Sequence, residues 1–172
     1  MKRKVLLLLM LFLASALSLN CQTKPAAGKV NPCKFLSFAE AEKILGQRVQ
    51  LITNSWDFAD DKTRFDCTYR SVEKDKTSDR ETSLFFTLEE SADEAGAKQI
   101  YANIWNLNKS HAGIEILSGI GDEAYASGDE SNFHFVMARK GKFTIRLKIN
   151  NVVETTSFDE LKAFAKKVIS EI

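Results

Sequence analysis

The chain is poor in histidine, proline and cysteine, and it has almost no net charge. Its 172 residues contain two histidines, His111 and His134, two prolines and three cysteines. There is no His-Glu-x-x-His helix, no two-cysteine zinc motif and no nucleophile elbow, which argues against a metallohydrolase or a serine hydrolase. Lysine and arginine number 24 against 23 acidic residues, so no strongly basic face is implied and nucleic acid is excluded as an expected partner. A span-length apolar run is also missing. The one long run, residues 5–19, makes a helix of roughly 22 Å against a hydrocarbon core of about 30 Å.

What is present at the amino end is an address. Lys2, Arg3 and Lys4 precede that uncharged, leucine-rich run, so residues 1–20 read as an export signal. Two processing readings differ in the fate of Cys21. Cleavage just before it, with diacylation of its thiol, resembles the bacterial lipoprotein signal, although Asn20 stands where a small residue is usual. Cleavage after Ala14-Ser15-Ala16 instead leaves Cys21 a thiol near the new end. An odd cysteine count in an oxidising compartment favours lipid on Cys21. Cys33 and Cys67 are then left to form a disulfide or to remain as two buried thiols.

Removing Lys2, Arg3 and Lys4 leaves 21 basic and 23 acidic residues. Residues 21–32 hold both prolines, Pro25 and Pro32, and little to bury. They read as the lipidated cysteine and a tether of at most about 37 Å. Gln22 leaves outer-membrane or surface placement open. Residues 33–172 are expected to form one domain.

Three Ser-x-x-Glu patterns predict helix starts: Ser37 with Glu40, Ser91 with Glu94, and Ser157 with Glu160. The first helix is expected over residues 38–45, burying Phe38, Ala41, Ile44 and Leu45 before a left-handed Gly46. The second, over residues 92–108, stacks Ala97, Ile100, Tyr101, Ile104 and Trp105. The third, over residues 158–172, stacks Phe158, Leu161, Phe164, Ala165, Val168, Ile169 and Ile172. Between them, strands are expected around Phe65-Cys67-Tyr69, at residues 83–88, 114–118 and 123–127, and in a hairpin over 132–150. Trp56 is assigned to a loop before the first strand.

For the hairpin, a turn at Lys140-Gly141 sets Phe135 opposite Arg146. A three-residue turn over 139–141, with Gly141 left-handed in a bulge, sets Met137 opposite Phe143, Phe135 opposite Ile145 and Phe133 opposite Leu147. The second choice creates one apolar and one polar face and is preferred. It places His134 on the polar, solvated face. The predicted class is α+β, an antiparallel sheet with three helices mainly on one face.

The segments Asn31-Pro32-Cys33-Lys34-Phe35-Leu36-Ser37, Leu45-Gly46, Cys67-Thr68-Tyr69 and Gly119-Ile120-Gly121-Asp122-Glu123-Ala124-Tyr125 resemble a group of functionally obscure bacterial lipoproteins, known mainly from actinobacteria. The resemblance implies that Cys33 and Cys67 pair. It also implies that Gly119 and Gly121 shape a turn in which Asp122 caps backbone amides. It brings no activity, cofactor or metal with it.

The remaining chemistry is sparse. Gly119-x-Gly121 lacks the third glycine of a dinucleotide site. Asp57, Asp60, Asp61 and Asp66 miss calcium-loop spacing. The expectation is a non-catalytic, lipid-anchored, extracytoplasmic binding or accessory domain whose partner is another envelope protein. The alternative is a carrier that holds a small apolar ligand between sheet and helices.

Overall fold

A computed structural model describes residues 35–59, 62–111, 113–129 and 131–172. Cys21 and Cys33, together with the expected signal and tether, lie outside the described residues. The elements in chain order are α1 (Phe38–Leu45), β1 (Val49–Ala59), β2 (Lys62–Ser71), β3 (Ser83–Ser91), α2 (Glu94–Asn108), β4 (Glu115–Ile116), β5 (Glu123–Gly128), β6 (Phe133–Lys140), β7 (Phe143–Asn150) and α3 (Phe158–Glu171). The strands form one antiparallel sheet in the order β1-β2-β3-β7-β6-β5-β4. Two meanders, β1 to β3 and β4 to β7, meet where β3 pairs with β7, and α2 carries the chain between them. The α+β class is as expected.

The helices divide two to one between the faces. Phe65, Cys67, Leu84, Phe86, Val136, Ala138, Ile145, Leu147 and Ile149 point to the face covered by α1 and α3, where they form the main core with Leu45, Leu161, Phe164 and Val168. Tyr125 and Met137, one residue out of phase, point to the opposite face and meet Tyr101 of α2. Period-two alternation therefore buries residues of both parities in β5 and β6.

The preferred hairpin register is not adopted. Lys140 pairs with Phe143, Met137 with Arg146 and Phe135 with Lys148, around a two-residue turn of Gly141 and Lys142. Gly141 takes φ +54° at the first turn position, where primed hairpin turns place a left-handed glycine. The choice of register assumed one buried face. With α2 on the second face, Phe135 and Met137 are covered without needing apolar partners on β7, and Val136 lies opposite Leu147 in the main core.

Helix ends explain the rest. Ser37 and Ser157 cap as expected, accepting from the amides of Glu40 and Glu160. The second helix starts later than predicted because Asp93, not Ser91, is its cap and accepts from the Gly96 amide at 2.8 Å. Ser91 instead ends β3. Gly46 ends α1 at φ +67°, and a Cβ there would run into the Thr155 carbonyl. That approach lets Thr155 Oγ1 donate to the Leu45 carbonyl at 3.0 Å and the Ser157 amide donate to the Ile44 carbonyl at 2.9 Å, joining α1 to the start of α3. Phe38, expected in the core, is half-exposed and meets Tyr69 edge-on at 5.1 Å.

The element missed from sequence is β1. Its eleven residues pair with β2 through a bulge at Ile52, and Trp56 belongs to this strand, not to a loop. Its ring packs edge-on against Phe65 at 5.0 Å.

Candidate functional site

The described surface is indented beside α2 by a groove of about 540 Å³. Its walls are Tyr101 and Trp105 on one side and the β4–β5 connection, from Ile116 to Glu123, on the other. Two local devices build it. Asp93 sets the start of α2 so that Ala97 and Tyr101 turn inward, and Trp105 falls one turn further along the same stripe. Trp105 and Tyr101 each meet the buried Tyr125 ring edge-on, at 5.0 and 5.8 Å. Asn108 fixes the phenol of Tyr125 by donating to its oxygen at 2.9 Å.

The second device is the glycine turn. Gly119 and Gly121 adopt φ +74° and +64°. Nothing crowds Gly119, whereas a Cβ on Gly121 would collide with the Arg139 carbonyl. The Asp122 amide donates to that same carbonyl at 2.8 Å. Asp122 Oδ2 in turn accepts from the Gly141 amide at 2.8 Å, a bond that reaches across to the β6–β7 turn and not to the glycine turn where the resemblance placed its capping. Gly121 and Asp122 are thereby brought together with the distant Gly141.

At their centre sits Arg139, which sequence reasoning did not select. Its side chain is 4% exposed. Nε donates to Glu123 at 2.7 Å, and one terminal nitrogen donates to Asp122 at 2.9 Å and to the Gly141 carbonyl at 3.0 Å; Glu94 lies 3.6 Å away. A buried guanidinium is tolerable only when its donors are met in this way. The available signal was its parity: Arg139 follows Phe135 and Met137 on their face of β6. Two consecutive acids after a glycine turn could supply its partners.

Electrostatics follow from these contacts. The amide of Gly141, aided by Arg139, holds the Asp122 carboxyl below the usual carboxylate range. Burial, then the Glu123 charge, pushes the Tyr101 phenol well above its usual range; burial also raises that of Tyr125. Both phenols stay neutral; Tyr101 lines the groove and Tyr125 lies buried behind it. Three carboxylates, Glu94, Asp122 and Glu123, share Arg139, and Lys98 pairs with Glu94 at 2.8 Å. The groove thus joins an aromatic and aliphatic wall to an end with a small excess of negative charge.

The other candidates lie elsewhere. Cys67 is fully buried on β2 within the main core. His111 is exposed after α2, its amide bonded to the Asn108 carbonyl. His134 is not on a solvated face: it stacks on Phe158 at 4.2 Å on the α3 side, and burial depresses its pKa. Asp66 is held by Arg64 and Thr87, and Asp57 lies opposite Arg64; Asp60 and Asp61 lie outside the described residues. No family model, curated protein or solved structure matches the chain.

Proposed function

We propose that the protein is a non-catalytic binding domain of the bacterial cell envelope. It is held on the extracytoplasmic side of a membrane by lipid on Cys21 and docks another envelope component in the groove beside α2. The observation that carries the reading is an open groove rather than a sealed chamber: Ile116 on its rim is 65% exposed. Apolar side chains left at the lip of a groove suit a partner that supplies the missing cover. A short tether behind a lipid adds proximity, which raises effective concentration for a partner in the same membrane.

The test is a photoreactive residue at Ile116 in the native host, with Lys166 on α3 as the control position. Adducts specific to Ile116 that disappear on Trp105→Ala support the reading; identical adducts from both positions overturn it. For the anchor, Cys21→Ala moves the protein out of the membrane fraction, whereas an unchanged distribution counts against lipid attachment there. The resemblance to actinobacterial lipoproteins supports pairing of Cys33 with Cys67, which a non-reducing peptide map reads directly. The second reading, a small-ligand carrier, is favoured by the groove's volume, which falls in the range of small-molecule sites. Intact-mass measurement of the freshly purified protein separates the two.

A further inference from the structure

The two edges of the sheet are protected very differently. β4 presents two residues, and its Glu115 is paired to Lys162 of α3. β1 presents eleven residues, and among the described residues no strand borders its outer side. An outer strand offers a row of amides and carbonyls whose natural complement is another extended chain. Proteins that keep such an edge single place lysine, arginine, proline or a bulge along it. Residues 49–59 contain no lysine, arginine or proline, the one charge, Asp57, lies opposite Arg64 of β2, and the bulge at Ile52 leaves residues 53–59 regular.

We infer that two copies of this chain join through β1, edge to edge and antiparallel, into one sheet continuous across both. Three features select a second copy over a foreign strand. The strand is almost uncharged, so its own copy meets no repulsion. Past the bulge at Ile52 the pairing with β2 is regular over residues 53–59, whose middle residue is Trp56. A two-fold axis there sets Trp56 beside its counterpart and Asp57 beside Ser55, keeping the two carboxylates from direct opposition. Such an axis runs perpendicular to the sheet, so the α1 and α3 faces of both copies look the same way. Because α1 packs on β1, both chains then enter their domains on one side, near the axis. Two tethers from one membrane require that arrangement. This last feature rests on the anchor reading; the strand edge itself does not.

The experiment uses the full chain extracted in mild detergent. Sedimentation is expected to give twice the protomer mass for the wild type. Asn54→Pro and Ser55→Pro are made as a pair: amides alternate along a strand, so one substitution removes an outward amide and the other an amide bonded to β2. The variant that retains its circular dichroism should sediment at half the wild-type mass. A monomeric wild type at tens of micromolar, or a folded proline variant that remains dimeric, overturns the inference. Independently, benzoylphenylalanine at Trp56 in the native host should yield a covalent species of two copies; adducts with other proteins alone overturn it. The same species should form in the Cys21→Ala background, so a failed anchor leaves the β1 result readable.

Discussion

Replacing Arg139 by methionine isolates the guanidinium, because methionine keeps most of the buried stem. The side chain makes hydrogen bonds of 2.7 Å to Glu123, 2.9 Å to Asp122 and 3.0 Å to the Gly141 carbonyl. Hydrogen bonds to charged groups contribute about 1.5–3 kcal/mol each when shielded from water. Shielding here is one-sided: Arg139 is 4% exposed, while the Asp122 and Glu123 side chains are 47% and 45% exposed. Water can therefore take over much of what the carboxylates lose, and each pair is discounted to about 1 kcal/mol. Removal of the cation leaves neither acid stranded in an apolar interior, so the larger penalty of a broken buried pair does not apply. The expected loss is about 2 kcal/mol, which for a domain of this size corresponds to a fall in Tm of about 4–8 °C. Urea and thermal unfolding read it. A shift below about 1 °C would refute the claim that Arg139 ties the β4–β5 connection to the β6–β7 turn. Asp122→Asn should cost less than Arg139→Met, since an amide oxygen still accepts from the Gly141 amide.

Gly121→Ala combines a left-handed residue with a collision against the Arg139 carbonyl and should destabilise by about 2–4 kcal/mol. Gly119→Ala meets no neighbouring atom and should cost about 1 kcal/mol, so equal losses in chemical denaturation would contradict the geometry. His134 predicts a pH dependence. Its ring is stacked on Phe158, and burial lowers its folded pKa from 6.5 despite Asp129 nearby, with Lys162 acting in the same direction as burial. The unfolded chain therefore takes up the proton first, and stability falls as pH drops below about 6.5 towards the folded value. His134→Phe should flatten the Tm profile between pH 7.5 and 5, a window above the titration of the depressed carboxyls Asp122 and Asp129; an unchanged slope would count against this. Ser157→Ala removes the cap of α3 and should cost about 1 kcal/mol by the same assay.

How far each part could be read from sequence follows from where its information sits. Capping is local, so two of three helix starts were legible from four-residue patterns. At the third, Ser91 and Asp93 both stand within reach of the first turn. Asp93 wins because β3 runs on through Ser91, whose amide bonds to the Lys142 carbonyl at 3.0 Å. β1 was illegible for the opposite reason. It is an edge strand with a bulge, so Leu51, Ile52, Asn54 and Ser55 are exposed in no regular alternation, and no period-two signal survives.

The site was half legible, and the missing half shares its cause with the hairpin error. The glycine spacing of Gly119 and Gly121 announces a turn, and the resemblance to the lipoprotein group added Asp122 to it. Their partner could not, because the preferred register placed Arg139 in the hairpin turn, whereas it belongs to β6 and pairs with Thr144. Once α2 covers the second face, the same parity that carries Phe135 and Met137 inward carries Arg139 inward as well. The cation must then find acids at the end of the covered region, and Asp122 and Glu123 stand where β5 begins. Covering the second face therefore accounts for three observations together: the two-residue hairpin turn, the buried arginine, and an aromatic groove with carboxylates at one end.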